Sequence, residues 1–470
     1  MLDQIAERFA DLALICEPGQ PPITAAGLRA AAQAAAGGLR EQGVRRNALI
    51  VVECADLSLG EFARLYLGAV WAGAVPVLVP ERDFEPAAAL GPELVVGRDG
   101  GLVDGGPLER SEFADDDVLD VVFTSGTTGS WKPVLSTHRQ WADALPLPRR
   151  GARPAVVGQG GVPWSASAGV HGVFLHHLAR AVTSVWAPTP EGLIAESARR
   201  GAVELHLTPH SLTALLQHRD VVPVEWARQV RTIKTVGGSV PTRIAQTTVD
   251  TFPAARLACL YGLTESGSAL TLKVFDPRTP NSIGRPLPGT EVRIVDELGG
   301  PVPDGAEGDI QIRRSDLPAM SYFPPARVPE RTFLDDGWVD TGDRGFVHAS
   351  GEIHLVGRSK ELLFLQSGRR APQAIEDHYH GLVPNAGELA VVGIPSPGMW
   401  DEIALFVVGD PVDRQIARLT AELRTPDCAY PPDHVLSVAA IPRTKMGKVR
   451  RGELYRTFRE TESSHAGEPS

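Results

Sequence analysis

The stretch FTSGTTGSWKPV, residues 123–134, follows the mostly apolar, valine-rich run Val118–Val122 and sets two glycines among hydroxyl residues ahead of a lysine. Glycine permits the tight, partly left-handed backbone that turns successive N–H groups inward toward an anion. The hydroxyl groups add donors, and Lys132 adds a point charge on a flexible side chain. The composition is equally compatible with an ordinary solvated loop. The stretch therefore predicts a strand followed by either a phosphate-binding loop or a plain surface loop.

A phosphate loop here is not of the Walker type. That loop needs the pattern GxxxxGK[ST], which has no match in the chain. The GK pair at 447–448 has Pro442 where the first glycine would have to stand.

Length and composition predict a folded protein with more than one domain. The chain has 470 residues, of which 43% are hydrophobic and 22% are charged, as in globular proteins. Its formal net charge of −11 argues against general binding to nucleic acid or to an anionic membrane. The cysteines show no metal-ligand spacing, which indicates free thiols in a reducing cytoplasm. We expect no targeting segment, because residues 1–15 carry acids where a signal peptide is basic.

Alternating patterns predict an α/β fold. Strand-like 48–55 and 74–79 flank the helical segment 61–73, and similar alternation continues over 202–262, which favours mostly parallel sheets. From about residue 290 the sequence pattern changes and predicts two β-hairpins, the second at 337–358. We expect a large N-terminal domain over 1–356 that includes a β-hairpin or barrel-like subdomain. A small α+β C-terminal domain over 361–455 and a disordered tail over 456–470 would follow.

A second motif, LYGLTESGS at 260–268, ends a predicted strand with a sharp turn at Gly262. It sets the aromatic Tyr261 beside Thr264 and Glu265. Mg²⁺ takes one or two carboxylates and completes its shell with water and phosphate oxygens, so Glu265 suits a metal site and Tyr261 suits stacking on a base. The alternative is an ordinary strand-to-helix turn in which Glu265 only caps the helix.

Six motifs occur in order along the chain: FTSGTTGSWKPV, GGSV (237–240), YGLTESG, GWVDTGDRG, GRSKE and PRTKMGKVRR. Together they resemble the adenylate-forming superfamily of acyl-CoA synthetases, peptide-synthetase adenylation domains and firefly luciferase. The similarity runs from about Ile23 to Leu454. It implies an AMP-forming acid–thiol ligase that uses ATP and Mg²⁺. A carboxylate would attack the α-phosphate, pyrophosphate would leave, and a thiol would then take the acyl group from the adenylate.

The resemblance assigns residues to this reaction. Those implied around the β- and γ-phosphates are Thr124, Ser125, Gly126, Thr127, Thr128, Gly129 and Lys132. Those implied at the rest of the nucleotide are Gly237, Gly238, Ser239, Tyr261 and Gly262 near adenine, Thr264 at the α-phosphate, and Asp343 with Arg358 at the ribose. Thr124 and Glu265 are implied near Mg²⁺, and Lys448 would bridge the carboxylate and the α-phosphate. The catalytic set implied is Lys448, Thr264 and Glu265.

The resemblance also implies that the small domain is mobile. The hinge would span 357–360 with Lys360 at its centre, and the thiol channel would include Gly368. The acceptor would be the thiol of CoA or the phosphopantetheine of a carrier protein acting in trans.

The acyl pocket departs from the family pattern. In PWSASAGVHGVFL, Ser165 and Ala166 stand where CoA ligases have an aromatic residue and a His, and no Asp stands at 165 to pair an α-ammonium group. An α-amino acid substrate is therefore disfavoured. The candidate pocket residues are Trp164, Ser167, His171, Val173, Gly238 and Gly262, although His171 is also compatible with a plain helix face. The pair His176–His177 is interpreted as a helix surface rather than a metal site. Trp131 has no explanation in the sequence.

Three functions stay open at this point. The first is a ligase that passes an acyl or aryl group to a thiol, with a small carboxylic acid as substrate and no nucleic acid or membrane partner. The second keeps the adenylation but uses an amine or another nitrogen nucleophile. The third is a non-catalytic nucleotide-binding relative, against which the retention of Lys132, Glu265, Asp343 and Lys448 argues.

Overall fold

The computed structural model describes residues 1–82, 84–98, 102–124, 131–144, 155–267, 269–279, 282–315, 320–323, 332–383, 386–396, 398–409, 414–444 and 447–465. These residues form two compact units. The first takes in the described parts of 1–126, 131–292 and 312–339, and the second those of 293–311 and 340–470. None of the helices in the described ranges is both long and apolar enough to cross a membrane.

The helices are short to medium in length and alternate with strands in the first unit. In chain order they are α1 Leu2–Arg8, α2 Ala25–Glu41, α3 Leu59–Trp71, α4 Glu85–Ala88, α5 His138–Ala144, α6 Ser167–Gly169, α7 His176–Ala179, α8 Pro190–Arg200, α9 Pro209–Gln217, α10 Val224–Ala227, α11 Thr242–Thr251, α12 Pro372–Leu382, α13 Arg414–Leu423 and α14 Arg451–His465. A π-helical turn spans Val170–Leu175, and 3₁₀ turns span Arg219–Val221, Thr264–Ser266 and Asp335–Gly337.

The strands fall into several sheets. In chain order they are β1 Ala13–Cys16, β2 Ile23–Thr24, β3 Leu49–Glu53, β4 Val75–Val79, β5 Leu94–Val96, β6 Val118–Phe123, β7 Pro133–Thr137, β8 Val156–Gly160, β9 Thr183–Trp186, β10 Glu204–Leu207, β11 Thr232–Val236, β12 Arg256–Gly262, β13 Ala269–Val274, β14 Ser282–Pro286, β15 Thr290–Val295, β16 Gly308–Arg314, β17 Ser321–Tyr322, β18 Val339–Val347, β19 Ile353–Arg358, β20 Leu363–Leu365, β21 Gly368–Arg370, β22 Leu389–Ile394, β23 Glu402–Val408 and β24 His434–Val438.

The first unit contains two mostly parallel sheets. One has the strand order β17-β7-β6-β4-β3-β5, with β3 to β6 parallel and β7 and β17 antiparallel. The other has the order β14-β13-β12-β11-β10-β8-β9-β1-β2, parallel from β12 to β1. This confirms the α/β class. The carboxyl ends of parallel strands are where such sheets bind ligands, and β6, β11 and β12 carry the predicted nucleotide motifs there.

Local sequence explains the helices of the first unit. Thr24 caps α2 through its hydroxyl, and Ser58 forms a capping box with Glu61 at the start of α3. The apolar stripes of these two helices then pack into one core, where Phe62 and Tyr66 are fully buried. The helix predicted over 61–73, after the 48–55 strand, is confirmed as α3.

The second unit contains antiparallel hairpins and a small mixed sheet. β18 pairs with β19, as the hairpin prediction at 337–358 requires, and β20 pairs with β21. β22 and β23 are antiparallel and β24 joins β23 in parallel. One core lies between this sheet and α12 and α13, and a second lies against α14. The boundaries 1–356, 357–360 and 361–455 stay predictions.

The prediction of a disordered tail from residue 456 is wrong for residues 456–465. These residues continue α14 to His465. Leu454 and Phe458, four residues apart on one face of the helix, are 1% and 2% exposed, because they pack against the apolar face of β22 and β23. Polar composition concealed this narrow apolar stripe.

Candidate functional site

Thr124 and Lys132 hold the base of the predicted phosphate loop. The N–H of Thr124 donates to the carbonyl of Lys132 over 3.0 Å, and the N–H of Lys132 donates to the hydroxyl of Thr124 over 3.3 Å. The loop residues between them that were predicted to bind phosphate, Ser125, Gly126, Thr127, Thr128 and Gly129, lie outside the described residues. The two flanking residues of the motif are thus paired.

Trp131 is a packing residue. Its ring meets that of Phe84 edge to face, with 5.1 Å between centroids, and Phe84 contacts Phe123 in the same way. All three belong to the apolar cluster on one face of the β17 to β5 sheet. The unusual residue beside Lys132 is therefore explained by anchoring of the loop on the sheet.

The YGLTESG turn differs in detail from its prediction. Gly262 is still paired, with Ala269 of β13, and the strand shows a bulge between Tyr261 and Gly262. The chain turns later, in the 3₁₀ turn Thr264–Ser266, which ends at Gly267 with φ of +72°. Only glycine adopts that left-handed conformation without strain, so Gly267 rather than Gly262 makes the turn sharp.

Glu265 does not cap this turn. The capping role belongs to the Ser266 hydroxyl, which accepts from the N–H of Leu263 over 3.3 Å and donates to the Leu263 carbonyl over 2.9 Å. The Oε1 atom of Glu265 instead accepts a hydrogen bond of 3.0 Å from the hydroxyl of Tyr322. Glu265 is half-buried. The alternative in which this carboxylate serves only the helix start is therefore wrong.

Tyr322 brings two predicted site residues together. The Nζ atom of Lys132 lies over its ring, 5.4 Å from the centroid, while its hydroxyl binds Glu265. Burial and the charge of Glu265 raise the pKa of the Tyr322 hydroxyl. Sequence reasoning missed Tyr322, because it lies 57 residues from Glu265 along the chain and its only signal is its aromatic type.

The other nucleotide residues of the first unit lie at neighbouring strand ends. Gly237, with φ of +95°, Gly238 and Ser239 directly follow β11, and Gly238 and Ser239 are exposed. Tyr261 lies near the end of the adjacent β12, where Val236 is paired with Leu260. Thr264 begins the 3₁₀ turn and is half-buried. Because β11 and β12 are parallel, their carboxyl ends meet at one edge of the sheet.

Asp343 and Arg358 face each other across the β18–β19 hairpin of the second unit. Nε of Arg358 lies 2.9 Å from Oδ1 of Asp343, and its Nη1 donates to the carbonyl of Thr341 over 3.0 Å. The Asp343 side chain is 3% exposed and that of Arg358 is 40% exposed. The predicted pair is therefore formed, with the guanidinium holding the carboxylate in place.

Lys448 lies in a tight loop of the second unit. The N–H of Thr444 donates to the Lys448 carbonyl over 2.8 Å, and the N–H of Lys448 donates to the Thr444 hydroxyl over 3.1 Å. Arg443 and Val449 form an isolated β-bridge beside them. Arg443 also pairs with Glu388 over 2.8 Å. Arg443 thus forms a surface ion pair with the residue that precedes β22, and the catalytic role of Lys448 stays a prediction.

The predicted hinge and channel residues lie in turns of the second unit. Lys360 is exposed, in a turn where Glu361 and Leu362 donate their N–H groups to the Arg358 carbonyl. Gly368, with φ of +98°, begins β21 opposite Leu365. Their roles stay predictions.

Two of the pocket candidates belong to a buried hydrogen-bonded chain. Nδ1 of His171 lies 3.0 Å from the Ser167 hydroxyl, and its Nε2 lies 2.9 Å from Oδ2 of Asp120. Asp120 also accepts from Tyr66 over 2.7 Å and from Ser136 over 2.5 Å. All five side chains are buried. His171 thus lies on the buried face of its helical turn with both ring nitrogens paired, and its role in the acid pocket stays a prediction.

The electrostatics of this chain follow from its burial. Burial raises the pKa of the Asp120 carboxyl, but the neighbouring His171 and the donors His171, Ser136 and Tyr66 outweigh it and hold that pKa below its ordinary value. The Ser167 hydroxyl also lies 3.4 Å from the carbonyl of Gly267, at the end of the YGLTESG turn. These hydrogen-bonded side chains thus connect the core to the turn that carries Glu265.

The remaining pocket candidates, Trp164 and Val173, are 5% and 3% exposed. The Trp164 ring stacks on Phe62 with 5.3 Å between centroids. It therefore belongs to the core around α3, and its role in the acid pocket stays a prediction.

His177 corrects the interpretation of the histidine pair as a helix surface. It is 3% exposed, with Nδ1 2.8 Å from the Ser184 hydroxyl and Nε2 3.0 Å from Nδ1 of His206. His206 in turn bonds Glu204, which pairs with Lys234. Burial and the nearby His206 and His176 hold the pKa of His177 well below its ordinary value. We call Ser184, His177, His206, Glu204 and Lys234 the histidine relay.

Glu265 and Thr124 supply the oxygen donors predicted to lie near Mg²⁺. The described residues contain no cluster of three or more His, Cys, Asp or Glu side chains able to hold a metal. Mg²⁺ does not need one, because it is commonly bound by one or two carboxylates and completes its shell with water and phosphate oxygens. The hard oxygens of Glu265 and Thr124 fit that chemistry.

Comparison with known proteins agrees with these motifs. A family model described as "AMP-binding enzyme" matches residues 83–323. The sulfoacetate–CoA ligase of Cupriavidus necator is 28% identical over 354 residues, which cover 71% of this chain and 66% of that protein. The fatty acid–[acyl-carrier-protein] ligase ScoC of Streptomyces coeruleorubidus is 27% identical over 409 residues, covering 82% and 76%. The alignment thus spans slightly less than two thirds of the first relative.

Among solved structures, ATP-bound MatB from Rhodopseudomonas palustris superposes with a TM-score of 0.79 at 22% identity, covering 97% of this chain and 98% of that chain. Likeness at this identity establishes the fold alone.

Proposed function

Because this chain belongs to the family of AMP-binding enzymes, we propose that it is an ATP-dependent acid–thiol ligase. In the first half-reaction a carboxylate oxygen of the acid attacks the α-phosphorus of ATP, forming an acyl- or aryl-adenylate and releasing pyrophosphate. In the second, a thiolate attacks the acyl carbon, forming a thioester and releasing AMP. The thiol belongs to CoA or to the phosphopantetheine of a carrier protein in trans. The named relatives join acids to CoA and to a carrier protein, respectively.

The observation that carries this proposal is that Glu265 and Lys132 meet on the same side chain, Tyr322. A carboxylate and a cation fixed within one cluster suit a triphosphate with its metal, since each binds one of those groups. Glu265 and Thr124 would hold Mg²⁺, which neutralises charge on the phosphates when bound. Lys132 would bind the departing pyrophosphate, and Thr264 the α-phosphate.

Residues of the second unit have proposed roles in the same reaction. Asp343, held by Arg358, would accept hydrogen bonds from the ribose hydroxyls. Lys448 would stabilise the charge that develops on the α-phosphate and carboxylate oxygens as the new bond forms. We propose that Lys360 lies at the hinge about which the small domain moves, and that Gly368 lines the thiol channel.

The proposed acid pocket includes Ser167 and His171, with Trp164, Val173, Gly238 and Gly262 as further candidates. The substrate is a small carboxylic acid. We also propose a cytoplasmic location, which the free cysteines support.

The test is a panel of carboxylic acids assayed for pyrophosphate release, with CoA, with a phosphopantetheinylated carrier protein, with amines, or with no acceptor. The expected result is release with one acid class and a thioester product. Adenylation followed by transfer only to amines would reject the thiol assignment. ATP binding with no pyrophosphate release from any acid would indicate a non-catalytic relative.

Lys448→Ala gives a sharper test of the mechanism. Because Lys448 acts where the α-phosphate bond changes, we expect adenylate formation to fall by about 10²–10³-fold, while transfer from a pre-made acyl-adenylate is largely kept. Arg456→Ala, an exposed cation on α14, is the matched control and should keep both half-reactions. An equal loss in both half-reactions of Lys448→Ala would show that its assigned role is wrong.

A further inference from the structure

Tyr322 lies between two charged candidates of the proposed site, Glu265 and Lys132. Its hydroxyl is 3.0 Å from Oε1 of Glu265, and its ring centroid is 5.4 Å from Nζ of Lys132. No motif of the sequence contains this tyrosine. Both ends of one rigid side chain therefore contact residues that the proposed function places at the metal and at the departing phosphates.

The backbone around Tyr322 is tied to the same two places. Tyr322 pairs with Val134 of β7, two residues after Lys132. The N–H of Met320, two residues before Tyr322, donates to the backbone carbonyl of Glu265 over 3.1 Å. Phe333 packs edge to face on the Tyr322 ring, with 5.1 Å between centroids. The ring has little freedom to leave its position.

The hydroxyl and the ring do different work. A phenol is protonated at neutral pH and donates to an ionised carboxylate, which can only accept. Holding Oε1 fixes the rotation of the whole Glu265 carboxylate, and so the direction of Oε2. Separately, a cation within about 6 Å of an aromatic centroid is attracted to the ring face, which biases the position of the Lys132 ammonium group.

We propose that Tyr322 is a positioning residue that orients Glu265 through its hydroxyl and Lys132 through its ring. The proposal rests on the proposed function, in which Glu265 serves Mg²⁺ and Lys132 serves phosphate. Groups that orient a metal ligand typically change metal affinity by about 10–100-fold when removed, so the hydroxyl and the ring should be separable by substitution.

The experiment measures ATP binding to the full chain by isothermal titration calorimetry, once with Mg²⁺ and once with EDTA, in the absence of acid. For the wild type we expect tighter binding with Mg²⁺. Tyr322→Phe keeps the ring. It should reduce the Mg²⁺-dependent increase in ATP affinity about tenfold and leave the Kd for ATP in EDTA unchanged. Tyr322→Leu removes the ring as well and should also weaken binding in EDTA.

Two controls separate positioning from packing. Tyr379→Phe deletes another buried hydroxyl, which donates to the Tyr430 carbonyl over 2.6 Å in the second unit, and should match the wild type. Phe333→Leu loosens the packing around Tyr322 but keeps its hydroxyl, and should keep the Mg²⁺-dependent gain. The proposal would be overturned if Phe333→Leu lost as much of the Mg²⁺-dependent increase in ATP affinity as Tyr322→Phe. It would also be overturned if Tyr322→Phe kept the full increase seen in the wild type.

Glu265→Gln distinguishes this inference from the proposed function beneath it. If Glu265→Gln loses the Mg²⁺-dependent increase in ATP affinity but Tyr322→Phe keeps an increase as large as that of the wild type, only the positioning role of Tyr322 is overturned. A wild-type gain in Glu265→Gln overturns the metal role of Glu265 and the positioning role with it.

Discussion

His171 and Asp120 are joined by a buried hydrogen bond, with Nε2 of the imidazole 2.9 Å from Oδ2 of the carboxylate and neither side chain more than 1% exposed. Because an ionised carboxylate only accepts hydrogen bonds, Nε2 of His171 carries a proton. The pair connects β6, which leads into the predicted phosphate loop, with the π-helical turn that carries His171. Its removal should therefore affect stability far more than a surface pair would.

Asp120→Ala should destabilise the protein by about 3–5 kcal/mol, because it leaves His171, Tyr66 and Ser136 buried without their acceptor. The measurement is the free energy of unfolding in urea at neutral pH. Asp116→Ala, whose side chain is 85% exposed and lies 3.3 Å from Arg139, is the control and should cost about 0–1 kcal/mol. Similar values for the two variants would contradict the structural reading of Asp120.

The histidine relay should make stability fall on acidification. Burial lowers the pKa of both His177 and His206 in the folded protein, whereas in the unfolded chain both take up protons near pH 6.5. Their contribution is complete above pH 6.5 and is lost as pH falls from there toward the folded pKa. In that range the titration of each histidine lowers the free energy of unfolding by up to about 1.4 kcal/mol for each pH unit of acidification.

The measurement is urea unfolding of His177→Gln and the wild type at pH 7, 6 and 5. The variant should show a shallower loss of stability with falling pH. Gln229→Ala, at an exposed residue that does not titrate, should keep the wild-type slope. An unchanged slope in His177→Gln would mean that this residue does not titrate as its burial requires.

Asp343→Asn should raise the KM for ATP about tenfold, since charge-assisted hydrogen bonds to the ribose contribute about 1.5–3 kcal/mol. The specific check is the ratio of kcat/KM between ATP and 2′,3′-dideoxy-ATP. The wild type should discriminate between them, and Asp343→Asn much less. Asp309→Asn removes another carboxylate near an arginine, Arg344 at 3.5 Å, and should discriminate as the wild type does. If Asp343→Asn discriminated between ATP and 2′,3′-dideoxy-ATP as well as the wild type does, the proposed contact of Asp343 with the ribose would be wrong.

Trp131→Ala should cost about 2 kcal/mol of stability, less than the 3–5 kcal/mol of a fully buried aromatic, because Trp131 is only partly buried against Phe84. Trp131→Phe should retain most of that packing. Thermal unfolding measures both, with Trp400→Ala, at a side chain 42% exposed, as the neutral control. If Trp131→Ala were as stable as Trp400→Ala, the packing explanation would fail.

The helices and strands with strong periodicity were predictable because their burial is local. The Ala-rich α2 and the β-branched β3 and β4 each carry a pattern within one short segment. The last part of α14 was not predictable from the sequence, because only Leu454 and Phe458 mark its buried face and the sheet on which they pack is distant in sequence.

The same distinction applies to the candidate site. Motif order predicted the pairing of Asp343 with Arg358, which face each other in one hairpin. It could not predict that Tyr322 contacts Glu265, or that His177 is buried against His206, because both contacts join segments far apart in the chain. The position of Gly267 rather than Gly262 at the turn follows from the pairing of Gly262 with Ala269, which is likewise a property of the folded sheet.

The two proposed phosphate lysines share one local arrangement: Lys132 with Thr124, and Lys448 with Thr444, each exchange the same pair of hydrogen bonds through the threonine backbone and hydroxyl. The main chain of each lysine is thus already paired without ATP, so under the proposed function only its side chain would be ordered on binding. The conformational entropy lost on binding is then confined to the side chain, about 2 kcal/mol for a lysine. Preorganisation of this kind would lower the entropic cost of phosphate binding at each of the two proposed lysines separately.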